Sequence, residues 1–115
     1  KIMELFLGMS QAQVNSKYYR GTNEGGNLKE TGTSHWFSPN TGADNLSGFT
    51  ALPAGYRNSS GSFENFGHFG SFWTSTEEAS GYGAYYRSLL NTNGQIYRND
   101  NISNSHGLSV RCIKD

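Results

Sequence analysis

Apolar residues near the start of the chain recur at the spacing of one helical face. Their positions follow i, i+3, i+4 and i+7, which predicts an amphipathic helix, and they are Ile2, Leu5, Phe6 and Met9. No residue that favours an N-cap precedes Lys1. We therefore expect the sequence to begin inside a helix, with further chain before it.

A second short helix is predicted directly after the first. Ser10 and Gln13 have the spacing of a capping box, in which each side chain binds the backbone N–H of the other residue. Met9 and Val14 flank this pair at the positions of a hydrophobic staple. The pattern predicts a helix from this cap to about Ser16.

A polar, glycine-broken segment from Gly21 to Gly48 follows the helices. It predicts a long surface loop, with a two-stranded fragment near Asn27 to Lys29. Loops of this length in compact domains are usually functional or packed by their own aromatic residues. Trp36 and Phe37 are the candidates for that packing.

The remaining sequence predicts strands separated by turns. Alternation and β-branched or aromatic residues indicate strands at Phe49 to Leu52, Phe72 to Thr76 and Ala84 to Leu90, and residues 59–61 indicate a turn. The pair Asn93-Gly94 predicts a hairpin with a type I′ turn, because both residues accept positive φ.

The last part of the sequence also alternates. Leu108, Val110 and Cys112 are apolar and are separated by Ser109 and Arg111. This pattern predicts a terminal strand with one buried face, and it places the single cysteine in that face.

Four motifs in order carry a resemblance to a known family. They are the segments Gly25 to Glu30, Gly48 to Pro53, Phe72 to Glu77 and Gly107 to Cys112. Together they resemble the FISUMP domains, the "major paralogous domain" family of bacterial secreted and surface proteins. The resemblance implies an α+β, C-type-lectin-like fold, in which helices flank a twisted, mainly antiparallel sheet with long loops. It also implies an extracellular or cell-surface location on a lipoprotein, and it implies no known activity.

The resemblance also sets an expectation for the front of the domain. Family members normally open with strands and a Cys-Pro-x-Gly-Trp segment, whose cysteine is the natural partner of Cys112, and this sequence has no such segment. We therefore interpret residues 1–115 as one N-terminally truncated domain. An unpaired sheet edge would then permit homo-oligomerisation by strand exchange.

Composition and charge exclude some classes of partner. Nine basic residues balance nine acidic residues, so the chain lacks the positive surface that nucleic-acid binding needs. No apolar stretch approaches the roughly 20 residues of a membrane span, so this segment is not expected to insert into a membrane. Abundant aromatic residues with 15 glycines favour a folded domain with many turns over disorder.

The hairpin and the loop after it form the predicted binding face. If Leu89, Ile96 and Val110 point inward, alternation turns tyrosine and polar residues outward. Tyrosine combined with serine and asparagine is typical of antibody paratopes, and the corresponding region is the ligand face in related lectin-fold proteins. The candidate residues are Tyr86, Ser88, Tyr97, Asn99, Asp100, Asn101, Ser103, Asn104 and His106. The alternative is a solvated hairpin with structural tyrosines.

The sequence favours neither a metal nor a catalytic group. Ser38-Pro39-Asn40 lacks the carboxylate or amide of the calcium-binding triplets in C-type lectins, so a calcium site using Asp44 and Asp100 is possible but not indicated. The three histidines are far apart in sequence, and Cys112 is expected to be a structural thiol. No cofactor is predicted.

These patterns lead to one functional hypothesis and three alternatives. The hypothesis is a non-catalytic extracellular recognition module that binds a glycan or protein ligand. The alternatives are a structural spacer, a calcium-dependent lectin, and an enzyme similar to the formylglycine-generating oxidases, which share the lectin-like fold but need reactive cysteines. The sequence does not name the ligand.

Overall fold

The computed structural model describes residues 1–113. Its helices are α1 (Ile2–Phe6) and α2 (Gln11–Asn15), and a 3-10 helix covers Gly26–Leu28. Its strands are β1 (Tyr18–Arg20), β2 (Tyr56–Arg57), β3 (Phe63–Glu64), β4 (Phe69–Glu77), β5 (Ala84–Leu90) and β6 (Asn93–Asn99). The fold is therefore α+β with mainly antiparallel pairing, as predicted.

One four-stranded antiparallel sheet forms the centre of the domain. Its strand order is β1-β6-β5-β4, and β2 and β3 form a separate small ribbon. Successive strand residues face opposite sides, so the sheet has two different faces. Leu89 and Ile96 lie on the first face and belong to the core, whose other buried residues are Met9, Val14, Leu28, Trp36 and Ala51.

Helix α2 forms as predicted. Ser10 accepts a hydrogen bond from the backbone of Gln13, and the Gln13 side chain accepts one from the backbone of Ser10. Met9 and Val14, the predicted staple residues, are both buried in the core. The local signal sufficed here because the capping box satisfies free N–H groups of the helix without tertiary help.

The predicted buried face of the first helix is wrong. Ile2 and Phe6 are 86% and 87% exposed, and the buried residue of α1 is Glu4. Glu4 accepts hydrogen bonds from Arg20 on β1 at 2.6 Å and from Arg87 on β5 at 2.7 Å. This five-residue helix is thus oriented so that Glu4 contacts the arginines of the sheet, while the apolar residues Ile2 and Phe6 face solvent.

The Glu4 cluster changes the acidity of its carboxylate. Burial alone would raise the pKa of Glu4, but the hydrogen bonds from Arg87 and Arg20 outweigh burial and lower that pKa from 4.5 to about 2. The charged carboxylate is thus favoured by the fold. Breaking such a cluster would leave Arg20 buried without its counter-charge.

The segment from residue 21 to 48 is largely a surface loop, as predicted, because most of residues 31–48 are exposed and irregular. It also contains the 3-10 helix and buries Leu28, Lys29 and Trp36, and the predicted two-stranded fragment is reduced to a single bridge from Lys29 to Ala51. The indole N–H of Trp36 donates to the carbonyl of Ala51 at 2.9 Å, so Trp36 does pack this segment as expected. Phe37 remains about half exposed against the edge of His68.

Lys29 is the most unusual residue of this segment. Its side chain is fully buried, and its ammonium group donates to the carbonyls of Thr41, Leu90 and Asn93 at 2.8, 2.7 and 3.1 Å. Burial lowers the pKa of Lys29 to about 8. One side chain therefore joins the irregular segment to both ends of the turn between β5 and β6.

The predicted strands Phe72 to Thr76 and Ala84 to Leu90 form as parts of β4 and β5. The predicted hairpin also forms, between β5 and β6. The turn of this hairpin is not at Asn93-Gly94. Residues 91–92 connect the strands, and Asn93 is the first residue of β6, opposite Leu90. Neither Asn93 nor Gly94 adopts positive φ. Gly94 instead lies against the Asn23 side chain, where a Cβ would approach within 2.4 Å.

Two further predicted strands do not form as expected. Between Phe49 and Leu52 only Ala51 makes a bridge, and its partner is Lys29. At the end of the chain Ser109 bridges Phe72 on β4, while Val110 is 74% exposed and Cys112 is an exposed free thiol. The prediction of a buried face was wrong, because the alternating residues after Ser109 have no strand beside them among residues 1–113.

No helix within residues 1–113 is long and apolar enough to cross a bilayer.

Replacing Glu4 with Gln is expected to lower the free energy of unfolding by about 3 kcal/mol near neutral pH. Because folding lowers the Glu4 pKa from 4.5 to about 2, its contribution is complete above pH 4.5 and is lost as pH falls towards 2. Urea unfolding of both proteins across this range should show their difference shrinking with acid. A difference independent of pH would contradict the ion cluster, and Glu77→Gln, at an exposed position, is the control.

Replacing Lys29 with Met should keep the volume of the side chain and remove the donor that three carbonyls share. We expect a loss of at least about 2 kcal/mol in the free energy of unfolding. Amide exchange should also become faster in the turn at residues 91–92. Lys17→Met, at an exposed lysine, is the control and should leave turn exchange unchanged. Unchanged stability of Lys29→Met would show that the ammonium group does not hold the hairpin.

Candidate functional site

The second face of the sheet carries a row of side chains that crosses all four strands. Ser71 on β4 pairs with Ser88 on β5, Ser88 pairs with Tyr97 on β6, and Tyr97 pairs with Tyr19 on β1. Alternation explains this row, because the neighbours Leu89 and Ile96 face the core. The face opposite the core is thus lined with hydroxyl groups and aromatic rings.

This face is covered by a roof, which we define as Tyr56 of β2 and residues 102–108. Backbone hydrogen bonds hold the roof in place. Arg57 and Gly107 exchange two of them at 2.8 Å, and the Ser109 N–H donates to the Ser71 carbonyl at 3.0 Å. At Gly83 a Cβ would lie 2.1 Å from the Ile102 carbonyl, so this close approach requires glycine.

A cleft of about 480 Å³ lies between the sheet and the roof. Its size falls within the usual range of small-molecule sites, about 300 to 1,000 Å³. Its lining residues are Tyr19, Tyr56, Phe69, Ser71, Tyr86, Ser88, Leu90, Tyr97, Ile102, His106 and Leu108. None of these side chains is a carboxylate, a lysine or an arginine.

The tyrosine rings of the cleft contact one another. Tyr97 lies at the centre, with ring centroids 5.0 Å from Tyr19 in an edge-to-face contact and 6.1 Å from Tyr86. Tyr18, outside the lining, also approaches Tyr97 at 6.2 Å. Tyr18 and Tyr19 can both do so because Tyr18 has a φ of +67°, which is rare for a bulky residue.

Hydrogen bonds orient the tyrosine hydroxyls. Tyr86 donates to the side chain of Asn101 at 3.1 Å, and Tyr97 accepts from the side chain of Asn99 at 3.0 Å. Burial, with the neighbouring Tyr97, raises the pKa of Tyr86 well above its usual value. Its hydroxyl therefore stays protonated and able to donate across the physiological range.

Other polar groups of the cleft are also fixed. Ser71 and Ser88 share a hydrogen bond at 2.8 Å between their buried hydroxyls. Tyr56 donates to Glu64 at 3.0 Å, and burial together with this carboxylate raises the pKa of Tyr56. The site is thus preorganised: partners outside the lining hold the hydroxyls of Tyr56, Tyr86 and Tyr97, and the two serines hold each other.

The structure brings part of the predicted set together. Tyr86, Ser88, Tyr97 and His106 line the cleft. Asn99 and Asn101 support it by binding the tyrosine hydroxyls.

The other predicted residues lie outside the lining. Asp100 forms an ion pair with Lys17 at 2.7 Å. Ser103 lies within hydrogen-bond distance of His106, and Asn104 is exposed. The prediction of outward-facing Ser88 and Asn99 needs correction, because the roof and neighbouring side chains bury both residues.

Sequence reasoning missed the residues that come from other parts of the chain. They are Tyr19, Tyr56, Phe69, Ser71, Leu90, Ile102 and Leu108. Strand alternation around Phe72 could have identified Ser71 and Phe69, since they lie one and three residues before it. Tyr19 and Tyr56 gave no comparable signal, because β1 and β2 are too short for a periodic pattern.

The acidic residues and histidines considered for a metal site lie at separate places within residues 1–113. Asp44 accepts hydrogen bonds from Asn27 and from the backbone of Leu46, away from Asp100 and its partner Lys17. His35 binds Glu30. Residues 1–113 contain no group of three or more histidine, cysteine or acidic side chains arranged to hold a metal ion.

Comparison with protein families decides the identity of the domain. The family model described as the Fibrobacter succinogenes major domain matches residues 1–114. The chain belongs to this family. It is the FISUMP family that the four sequence motifs indicated, so that interpretation is confirmed. FISUMP domains are bacterial domains of unknown function.

No curated protein and no solved structure matches the chain. The function of this FISUMP domain therefore has to be argued from its own cleft.

Proposed function

We propose that this FISUMP domain is a non-catalytic recognition module that binds a glycan or protein ligand in the cleft between sheet and roof. The observation that carries the proposal is the shape of the second sheet face. A face with only a structural role would be packed or flat, whereas this one borders a partly open cleft of about 480 Å³. Four tyrosines and two serines line that space.

The lining favours binding over catalysis. Tyrosine supplies a large contact area at low entropic cost, because its side chain has only two torsions, and serine hydroxyls adapt their hydrogen bonds. Nucleophilic or acid–base catalysis would need an activated group beside a base. The lining contains His106 but no carboxylate or thiol, and Cys112 is not among its residues.

We further propose a C-type-lectin-like architecture and a location at the bacterial cell surface or outside the cell. The short helices beside a mainly antiparallel sheet, the long irregular segments and the family membership are compatible with both. Pairing between copies through a sheet edge belongs to the same proposal, because β1 is a short outer strand with exposed Tyr18 and Tyr19.

Removing the central ring of the cleft should abolish ligand binding without unfolding the domain. We expect Tyr97→Ala to weaken binding at least tenfold, since buried tyrosines are frequent hot spots. The wild type and the variant would be screened against an oligosaccharide array and a displayed peptide library. Circular dichroism would confirm that the variant stays folded.

Tyr82→Ala is the matched control, because Tyr82 is 65% exposed and lies outside the cleft lining. Binding lost in Tyr97→Ala and kept in Tyr82→Ala supports the cleft. Equal binding by both variants would exclude the cleft as the binding site. No binding by the wild type to either collection would favour the structural-spacer alternative.

A further inference from the structure

The cleft provides no carboxylate, lysine or arginine as a counter-charge for an ionic ligand, and His106 is the basic side chain of its lining. Among its lining residues none is acidic, and none is a lysine or arginine. Glu64, beside the roof, is already bound by the Tyr56 hydroxyl, and Asp100 is paired with Lys17 at 2.7 Å. An anion entering this space would exchange its hydration for hydroxyl groups and the His106 imidazole, and a cation would find only the faces of the tyrosine rings. Neither would gain a carboxylate, lysine or arginine as a partner, and burying a charge without one is costly. The ligand that fits is therefore uncharged.

The hydroxyl groups offer both donors and acceptors to a ligand. Tyr86 and Tyr56 use their hydrogens on Asn101 and Glu64, so their oxygens remain able to accept. Tyr97 accepts from Asn99 and lies beside the Tyr86 hydroxyl, so its own hydrogen can be donated either to Tyr86 or to a ligand. Ligand hydroxyls act both as donors and as acceptors, and they match this mixture better than a purely apolar molecule does.

The serine pair adds one more donor. Either Ser71 or Ser88 donates to the other at 2.8 Å, so the accepting hydroxyl keeps its hydrogen free. Both serines are buried at the floor of the cleft. An apolar ligand would leave this serine hydrogen without a partner, at a cost in binding free energy.

The rings and aliphatic side chains complete the match. Tyr97 presents an aromatic surface together with Tyr19 and Tyr86, and Phe69, Leu90, Ile102 and Leu108 supply apolar contacts. A pyranose ring carries C–H groups on its faces and hydroxyls around its edge, so it can meet both kinds of surface. A peptide strand would instead seek backbone partners at a sheet edge, and the cleft lies over a sheet face.

We propose that the ligand of the cleft is an uncharged saccharide held by side-chain contacts alone. This inference rests on the proposed recognition function and narrows it to one class of ligand. It assigns the row Ser71, Ser88, Tyr97 and Tyr19 to sugar contact, with the tyrosine rings bordering the sugar ring and the tyrosine and serine hydroxyls binding the sugar hydroxyls.

The experiment compares matched pairs of oligosaccharides that share linkage and length and differ only in a C6 carboxylate. Titration calorimetry with the intact chain would be run in low and in high salt, with calcium and with chelator. We expect the neutral member of a pair to bind and its uronate counterpart to bind at least tenfold more weakly. Affinity for the neutral sugar should be independent of salt, because screening acts only between charges, and independent of calcium.

Tyr19→Phe is the variant that separates hydroxyl recognition from ring packing. Within the described residues the Tyr19 hydroxyl has no hydrogen-bond partner, so its removal should leave the fold intact. We expect about a fivefold increase in Kd for the neutral sugar, the effect of losing one neutral hydrogen bond. Tyr82→Phe, outside the cleft, should bind as the wild type does.

The outcomes separate the two proposals. Two results would overturn the saccharide inference and leave the recognition cleft standing. They are a preference for the uronate and the binding of peptides alone, provided that the binding is lost in Tyr97→Ala. Calcium-dependent binding of the neutral sugar would overturn the claim that side chains alone hold it. Absence of any binding that depends on Tyr97, to sugars or to peptides, would overturn both proposals.

Discussion

The buried ammonium group of Lys29 is the interaction on which much of this structure depends. It lies between the irregular segment and the turn that joins β5 to β6, and it donates to the carbonyls of Thr41, Leu90 and Asn93. The ring of Trp36 lies 5.4 Å away and adds a cation–π contact. The ammonium group carries three N–H donors on a flexible stem, so one lysine can bind three carbonyls of irregular backbone that forms no regular ladder. These contacts hold the ends of β5 and β6 in place, and with them the strand register on which the cleft is built.

The sheet separates charge by face. On the core side Glu4 binds Arg20 and Arg87, and Arg98 donates to the carbonyls that end α2 while lying 4.1 Å from the Tyr85 ring. On the cleft side the lining is hydroxyl, aromatic and aliphatic. Alternation along β5 produces this separation, because Arg87 and Ser88 are neighbours in sequence and lie on opposite faces. A neutral site can therefore form directly behind a strongly charged layer.

The sequence predicted elements whose signals are local. The capping box of Ser10 and Gln13, the long strands β4 and β5, and the tyrosine-bearing face of the hairpin all follow from short-range patterns. Prediction failed where distant residues decide the outcome. Asn93-Gly94 has an ideal turn composition, but Lys29 and the close approach of Asn23 place the turn two residues earlier. Likewise, the roof of the cleft brings together residues that are far apart in the chain, and no local pattern indicates such a meeting.

The attachment of the roof has a consequence for how such domains could diversify. Its anchors at Arg57, Gly107 and Ser109 are backbone hydrogen bonds, which are independent of side-chain identity. The roof side chains that line the cleft, such as Ile102 and Leu108, are therefore exchangeable without loss of those anchors. A single scaffold can then present clefts of different shape, with the sheet supplying constant hydroxyls and the roof supplying variation.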